Sequence, residues 1–505
     1  MNSTYNEKLK EFKEVITKIE YLKYTLNSLV YWDKLICMPN KGIGYRSKVM
    51  GYMADEMYNL LSSKKVGEYI KFFENNKEND IITNAMIEKI KTSSSFINKI
   101  PEKEYTKYIE LVAESEGVWQ KAVDENDFEI FKPNLEKLIV TYQQLAEYWG
   151  YEKEPYDAFL NYYEKDFSVE DIEKIIEPLK INIIKLLYSI VRSDKVKEIK
   201  EIKKIPNISL DKQMEITKMV FEEIGFDFDA GRVDLGNQPT ILSNSPNDVR
   251  VVTSLFEDDF ITGFYNSLFS GGRGLYEQNI SVNLMGTLLA EVASFSLEES
   301  IGKIYENIIG KSKGFWEYML PKIKKISPEF DEYEATDIYN LVNEINWTPI
   351  RLEADQLTYM LHIIIRYEIE RDLINGSLKV DDIKSVWNSK YNELLGVEAK
   401  SDKEGVLQDI HWAGGYFGYF PTAFISNISA SQFANVMESE IGNLENLVKS
   451  GRFDMINEWL KEKIYKHGSI YSCRDLITSI TETGLDANAF NKLLNGRYME
   501  VYDLK

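Results

Sequence analysis

The chain has 505 residues, with 60 Lys and Arg against 81 Asp and Glu, so its formal charge is −21 at pH 7. This acidity disfavours nucleic acid and anionic membrane surfaces as partners, because like charges repel one another. A composition that is 44% hydrophobic and 13% aromatic supplies a large core and argues against long disordered stretches.

The cysteines and the first residues indicate the compartment. Cys37 and Cys473 lie far apart and form no Cys-x-x-Cys unit, which is typical of a reduced, cytoplasmic protein. Residues 1–10 contain no apolar segment after a basic start, so no secretory signal is predicted. No apolar run approaches the roughly 18 residues that a membrane span needs. We therefore expect a cytoplasmic protein that has no membrane partner.

Helical periodicity dominates the first part of the chain. Apolar residues recur there at steps of three and four, namely Leu9, Phe12, Ile16, Ile19, Leu22, Leu26 and Leu29. This spacing predicts an amphipathic helix of about six turns. Breaks are expected at Pro101 and Pro133, because proline lacks the N–H that a helix needs. Ser168 with Asp171 resembles a capping box that opens another helix, which Pro178 should kink or restart.

The pattern changes between residues 225 and 256. Glycines and prolines punctuate this segment, and the run from Val249 to Val252 is β-like, which predicts a small sheet or hairpin inside a helical protein. Apolar helices are predicted from 284 to 309 and after Pro349. No repeat and no linker are apparent, so the prediction is a single domain over residues 1–505 of the mainly α class.

The segment Phe269-Ser270-Gly271-Gly272-Arg273 has the spacing of a zinc-binding helix without its chemistry. An H-E-x-x-H helix places two imidazoles one turn apart, with a Glu general base beside them. Phe269 has no lone pair for a metal, Ser270 is a poor base, and Arg273 carries a permanent charge that repels a cation. These three positions predict that zinc does not bind.

Several blocks along the chain resemble one known family. They are Tyr31-Trp32-Asp33, Pro155-Tyr156-Asp157-Ala158, Leu275-Tyr276-Glu277-Gln278-Asn279, Phe315-Trp316-Glu317-Tyr318 and the block from Gly405 to Trp412. By this resemblance the chain is identified as a member of the carboxypeptidase Taq family of H-E-x-x-H zinc metallocarboxypeptidases. The resemblance implies a large helical scaffold with a central groove, a homodimer, and zinc-dependent removal of C-terminal residues in active members.

The resemblance also implies which metal ligands are lost. In the family, a His-Glu-Ser-Gln-Ser segment supplies a Glu as the third ligand, and the matching residues here run from Glu298 to Gly302, with Glu299 at the ligand position. A substrate-contacting His of the family is matched by Gln238. One carboxylate is too few, because a catalytic zinc needs three protein ligands. The predicted degenerate metal-site positions are Phe269, Ser270, Arg273 and Glu299, and zinc is predicted to be absent.

Much of the substrate cleft is predicted to remain. The residues that the resemblance assigns to substrate binding are Arg250, Arg351, Gln408, Asp409 and His411. A guanidinium suits a terminal carboxylate because its donors match two oxygens at once, so Arg351 is the expected anchor for a peptide C-terminus. A surface or ion-paired role for Arg351 is the alternative. His362 lies on an apolar helix face and is expected in the core.

Arg273 needs a partner if the zinc is gone. Without the dication, Glu277, Glu298 and Glu299 would lie near one another with little compensating charge, and such burial is costly. We expect the Arg273 guanidinium to occupy the vacated space and pair with Glu299. The alternative is an Arg273 that faces solvent.

Three functions follow from these observations. The leading hypothesis is a catalytically silent homologue that binds peptide C-termini or a protein partner. An active metallocarboxypeptidase that uses an atypical metal site is the alternative, and a structural partner of an active relative is the third. A new active site is disfavoured, since Ser270 lacks the Gly-x-Ser-x-Gly elbow and Gly271-Gly272-Arg273-Gly274 lacks the ending of a phosphate loop.

Overall fold

The computed structural model describes residues 3–76, 80–236 and 239–504, which are mostly α-helical. The helices before the sheet are α1 (Ser3–Thr25), α2 (Asp33–Ile36), α3 (Ile43–Leu61), α4 (Lys64–Asn75), α5 (Ile81–Asn98), α6 (Glu102–Glu125), α7 (Phe128–Trp149), α8 (Tyr156–Tyr163), α9 (Val169–Ile190), α10 (Lys195–Lys200) and α11 (Leu210–Ile224). Those after it are α12 (Phe260–Gln278), α13 (Phe295–Lys303), α14 (Lys313–Ile326), α15 (Ala335–Val342), α16 (Gln356–Ile374), α17 (Ile383–Leu395), α18 (Pro421–Ile441), α19 (Leu444–Lys449), α20 (Phe453–Lys463), α21 (Cys473–Thr481) and α22 (Ala487–Val501).

The chain divides into two compact units, each built from three segments. The first unit comprises Met1–Asn98, Lys204–Tyr339 and Phe433–Ile480. The second unit comprises Lys99–Lys203, Asn340–Gln432 and Thr481–Lys505. The interpretation of residues 1–505 as one family domain with a central groove stays a prediction.

The first unit contains the sheet, whose strands are β1 (Gly231–Leu235), β2 (Thr240–Ser245) and β3 (Asp248–Thr253). The central strand β3 pairs in parallel with β1 and antiparallel with β2. Val249 and Val251 on β3 are fully buried, and this strand packs against α12. The mainly α class with a small β-element between 225 and 256 is therefore confirmed.

Helix α12 is the central element of the first unit. It contacts α11, α13, the sheet and the π-helical turn Ile304–Ile309. This close packing needs small residues on α12, since a Cβ added at Gly272 would lie 2.6 Å from a ring carbon of Tyr305.

The second unit is organised around α16. Most of its residues are buried, and it packs against α7, α9 and α17. The carboxylate of Asp355 caps its first turn by accepting hydrogen bonds from the N–H groups of Leu357 and Thr358, at 2.8 and 3.1 Å. His362 is fully buried on this helix, as expected, and its Nδ1 lies 3.1 Å from the Tyr391 hydroxyl oxygen.

The apolar helix predicted from 284 to 309 is wrong over its first part. Helix α13 begins only at Phe295, and Ser294 caps its first turn. The preceding residues cannot continue a helix, because Gly286 and Leu288 have φ values of +80° and +63°.

The break predicted at Pro133 is wrong, because this residue lies inside α7. Pro178 lies inside α9, so the helix does not restart there, and the alternative of a kink stays a prediction. Both helices bury a long apolar face, and this tertiary packing outweighs the hydrogen bond that each proline removes. The predicted capping box of Ser168 and Asp171 is present at the start of α9, and Pro101 precedes α6 as expected. No helix in the described residues is long and apolar enough to cross a membrane.

Candidate functional site

The degenerate metal-site positions lie on two packed helices of the first unit. The carboxylate of Asp259 caps α12 by accepting a hydrogen bond from the N–H of Thr262 at 3.1 Å. Helix α12 carries Phe269, Ser270 and Arg273, while α13 carries Glu298, Glu299 and Gly302. These helices pack directly against each other, so the residues of the predicted ligand set share one interhelical site.

The ring of Phe269 fills the space in front of Gly302. A Cβ added at Gly302 would lie 2.5 Å from two carbons of this ring, a distance that real side chains do not adopt. Two cations flank the ring, since Lys303 Nζ lies 4.7 Å and Arg273 Cζ lies 5.4 Å from its centroid. The Phe269 ring therefore fits into this space only because Gly302 has no Cβ.

Arg273 forms an ion pair with Glu298 on the neighbouring helix. Its Nε donates a hydrogen bond to Glu298 Oε1 at 3.0 Å, and Nη2 lies 3.0 Å from the same oxygen. The side chains are 14% and 8% exposed, so the pair is largely desolvated. The expected pairing with Glu299, which is also buried, stays a prediction.

Two further buried groups complete this region. Ser270 is fully buried, and its hydroxyl has no hydrogen-bond partner among the residues that the structure describes. Glu277 lies one turn beyond Arg273 on α12. Its burial, followed by the charge of Glu298, raises the pKa of Glu277 to about 8.

Zinc does not fit the residues present at this site. A benzyl ring and a guanidinium stand where two nitrogen donors are needed, and Glu298 is already paired. Within residues 3–76, 80–236 and 239–504, no group of three or more His, Cys, Asp or Glu side chains is placed to hold a metal. Gln238, which matches a substrate-contacting His of the family, lies outside the described residues.

Arg250 lies on β3 in the same unit. Its Nε and Nη2 donate to the two carboxylate oxygens of Asp248, at 2.9 and 3.1 Å. Its Cζ lies 4.8 Å from the ring of Trp32, and Arg232 Cζ lies at the same distance from that ring. Asp248 also accepts a hydrogen bond from the Tyr24 hydroxyl at 3.0 Å. Arg250 is therefore held in a defined orientation.

The second unit brings together Arg351, Gln408 and Asp409. Arg351 donates from Nε and Nη2 to Asp409 Oδ2 and Oδ1, at 3.0 and 2.8 Å, and its backbone N–H donates to Gln408 Oε1 at 2.9 Å. The two charged side chains are 11% and 4% exposed. Burial opposes ionisation of Asp409, but the charges of Arg351 and Arg366 hold its pKa well below the usual range.

His411 lies beside this pair without hydrogen-bonding to it. Its Nδ1 is 3.9 Å from Asp409 Oδ1, and its ring stacks on Tyr419 with centroids 5.2 Å apart. Burial lowers the pKa of His411 to about 3, so the imidazole is neutral at physiological pH.

Arg366 on α16 is a charged residue of this region that sequence reasoning missed. It is fully buried, and its Cζ lies 4.3, 4.8 and 4.9 Å from the rings of Trp412, Phe420 and Trp387. One nitrogen approaches Asp409 at 3.8 Å. The available signal was a single arginine within the apolar stretch of α16, which a soluble helix buries only with compensation.

The predicted substrate-binding residues are thus not all in one unit. Arg351, Gln408, Asp409 and His411 belong to the second unit, whereas Arg250 and the degenerate metal-site positions belong to the first.

Residues 11–498 match the family described as carboxypeptidase Taq (M32) metallopeptidase. The chain is 34% identical over 495 residues to Carboxypeptidase 1 of Bacillus subtilis, covering 98% of both proteins. It is 30% identical over 493 residues to Thermostable carboxypeptidase 1 of Thermus thermophilus, covering 95% of this chain and 96% of that protein. The crystal structure of the M32 carboxypeptidase from Deinococcus radiodurans is similar with a TM-score of 0.93 and 26% identity, covering 99% and 100% of the two chains. The structure of the Pyrococcus furiosus carboxypeptidase is similar with a TM-score of 0.91 and 29% identity, and the match covers 99% of each chain.

Proposed function

The chain belongs to the carboxypeptidase Taq (M32) metallopeptidase family, and we propose that it is a member that has lost zinc and C-terminal hydrolysis but still binds peptide C-termini or a protein partner. The observation that carries this proposal is the ion pair of Arg273 with Glu298 beside the Phe269 ring. These groups fill the interhelical space with a cation and an apolar ring, where a metal would need neutral nitrogen donors.

The chemistry of hydrolysis supports the same conclusion. In a zinc peptidase the metal lowers the pKa of a bound water, and a neighbouring carboxylate removes its proton. Ser270 stands at the position of that general base, and its buried hydroxyl is too weakly basic for the role. Loss of the base and of both imidazoles removes several parts of the reaction at once.

The second unit supports retention of binding. Asp409 holds Arg351 through Nε and Nη2, which leaves the guanidinium edge that ends in Nη1 available for a second carboxylate. A peptide C-terminus presents two oxygens with the geometry that this edge matches. The neutral imidazole of His411 lies beside the pair and is suited to a hydrogen bond with a peptide group.

Calorimetry with paired peptides tests this proposal. A set of short peptides with free C-termini is titrated into the protein, and the same peptides with C-terminal amides serve as controls. The free acids are expected to bind. Amidation of the peptide and the variant Arg351→Lys should each weaken this binding by about tenfold or more, because each change removes the paired hydrogen bonds between a carboxylate and a guanidinium. The absence of heat with every free-acid peptide refutes the proposal.

An active metallocarboxypeptidase with an atypical metal site is the alternative. It is favoured by the Glu at position 299 and by the carboxypeptidase names of the relatives. Elemental analysis together with a C-terminal release assay separates the two functions. The triple variant Phe269→His, Ser270→Glu and Arg273→His is the matched comparison, since it is expected to gain zinc that the unaltered protein lacks.

The assembly and compartment are also proposals. A cytoplasmic homodimer agrees with the family resemblance and with two cysteines that form no disulfide in the structure. Sedimentation equilibrium is expected to give twice the chain mass of 58.7 kDa. A species of single chain mass throughout the concentration range contradicts the dimer.

A further inference from the structure

Helix α9 of the second unit presents a stripe of apolar residues to solvent. Ile181, Ile184, Tyr188 and Val191 are 58%, 41%, 61% and 62% exposed. They recur at steps of three, four and three residues, so they lie on one face of the helix. Val191 directly follows the last helical residue and keeps helical backbone angles, with φ of −55° and ψ of −25°. The stripe is separate from the buried face of α9, which packs into the unit.

The stripe differs from an isolated exposed apolar residue. Single residues of that kind are common on soluble proteins, and Val140 on α7 is an example, at 64% exposure. Four on adjoining turns of one helix form a contiguous surface, and contiguous apolar surfaces mark contacts with other molecules. The α9 stripe therefore indicates an interaction surface of the second unit.

The spacing of the stripe is symmetric about Leu186. Reversing the direction of the helix exchanges Ile181 with Val191 and Ile184 with Tyr188. A second α9 that lies antiparallel across the first, about a two-fold axis, therefore places an apolar residue opposite every apolar residue. A different protein would have to reproduce this pattern, whereas a second copy of the chain already has it.

The charges at the two ends of the stripe favour the same arrangement. Glu177 lies one turn before Ile181, while the basic residues Arg192 and Lys195 follow Val191. An antiparallel copy brings the Glu177 of each chain to the basic end of the other. A parallel copy places like charges together, which is unfavourable. The charge pattern therefore supports an antiparallel second copy.

The contacts that these charged residues make within the chain are compatible with this pairing. Glu177 and Lys195 each form an ion pair with a residue three positions further along, and such surface pairs contribute little to stability. The Cζ of Arg192 lies 3.7 Å from the centroid of the Tyr188 ring. This cation–π contact holds the guanidinium beside the stripe, where an acidic partner residue can reach it.

We propose that two copies of this chain associate through their α9 helices, which pack antiparallel about a two-fold axis level with Leu186. Ile181 of one copy then contacts Val191 of the other, and Ile184 contacts Tyr188. This inference rests on the homodimer of the proposed function and assigns the surface that forms it.

Sedimentation equilibrium of surface variants tests this interface. Ile184→Lys and Tyr188→Glu each place a charge opposite an apolar residue of the second copy, so each is expected to raise the dimer dissociation constant by at least about tenfold. Both side chains are exposed in the single chain, and thermal unfolding checks that the variants fold. Val140→Lys is the matched control, because Val140 is as exposed as the stripe and lies in the same unit. This control is expected to dimerise like the unaltered protein.

A mixture of the two variants tests the direction of the helices. In an antiparallel pair, position 184 of one chain faces position 188 of the other. The Ile184→Lys and Tyr188→Glu chains together therefore form one lysine–glutamate pair and keep one isoleucine–tyrosine contact. The mixed dimer is expected to dissociate at least about tenfold less readily than the dimer of either variant alone. Native mass spectrometry identifies it by its mass.

Three results overturn the interface. A dimer that persists unchanged in Ile184→Lys contradicts the α9 contact and leaves the homodimer itself standing. Dissociation of both variants without recovery in the mixture contradicts the antiparallel pairing. A single-chain mass of the unaltered protein at every concentration refutes the homodimer as well, and this is the result expected if a different protein covers α9.

Discussion

Two buried arginine–carboxylate ion pairs, one in each unit, share the same chemistry but differ in their surroundings. In the first unit Arg273 pairs with Glu298, and the Phe269 ring lies against both the guanidinium and Gly302. In the second unit Arg351 is held by Asp409 through two hydrogen bonds. The Arg273 pair engages Glu298, the neighbour of the predicted ligand position Glu299, whereas the Arg351 pair holds a guanidinium in a fixed orientation beside His411.

The side chains at the degenerate metal-site positions are accommodated by the residues around them. Phe269 could not take its position if residue 302 carried a Cβ, and Arg273 could not be buried without a carboxylate nearby. The contributions of the two ion pairs to stability can be measured separately, because they lie in different units and involve different residues.

The largest loss of unfolding free energy is expected from Arg351→Ala. It leaves Asp409 buried with Arg366 as its remaining cationic neighbour at 3.8 Å, and an uncompensated buried charge typically destabilises by about 4 kcal/mol. Urea unfolding measures the loss. Arg452→Ala is the control, since its pair with Asp454 is more than half exposed and its loss should change stability by less than about 0.5 kcal/mol. Similar losses in the two variants contradict the buried-pair account.

Glu277→Gln is expected to change the pH dependence of stability. Burial and Glu298 raise the pKa of Glu277 to about 8 in the folded protein, so this carboxyl favours folding at low pH and loses that contribution as pH rises through about 8. The variant should therefore match the unaltered protein near pH 4 and exceed it near pH 9, by on the order of 3 kcal/mol. Parallel pH profiles of unfolding free energy contradict the burial of an uncompensated carboxyl.

Gly302→Ala tests whether Phe269 and Gly302 fit each other. The new methyl meets the ring at 2.5 Å, so a loss of about 2 kcal/mol is expected from overpacking. In a Phe269→Ala background the same change should cost much less, and a double-mutant cycle measures the coupling. Gly67→Ala is the control, because nothing lies within 4 Å of its added Cβ and the helix should gain stability. A coupling energy near zero contradicts the fit.

The smallest loss of unfolding free energy is expected from Arg250→Ala. It removes a partly buried pair with Asp248 and a cation–π contact with Trp32, together about 1 kcal/mol. Arg232→Ala removes the equivalent contact with the same ring, but its side chain is 54% exposed and its loss should be a few tenths of a kcal/mol. Thermal unfolding of the two variants compares these costs, and a larger loss in Arg232→Ala contradicts the interpretation.

Sequence patterns predicted the elements that depend on local chemistry. The helical class, the small sheet and the capping box of Ser168 with Asp171 follow from short-range periodicity. The boundary at Phe295 was missed because apolar periodicity continues through residues whose φ values are positive. The break predicted at Pro133 and the restart predicted at Pro178 do not occur, because burial, which the local pattern does not reveal, holds these helices together.

The candidate site also combines features that follow from side-chain chemistry alone with features that depend on tertiary packing. The sequence alone shows that Phe269 and Arg273 offer no lone pair to a metal, because this property depends only on the chemistry of each side chain. The pair of Arg273 with Glu298, the place of Phe269 against Gly302, and the buried Arg366 depend on packing between residues distant in the chain. The substrate-binding roles of Arg351, His411 and Arg250 stay predictions.

The most direct test of the account is the zinc content of the folded protein, purified without chelator and dialysed against a defined free zinc concentration. Because Phe269 and Arg273 offer no donor and Glu298 is paired, we expect far less than one zinc per chain. Stoichiometric zinc that Glu299→Ala removes contradicts the account and establishes a metal site of another composition.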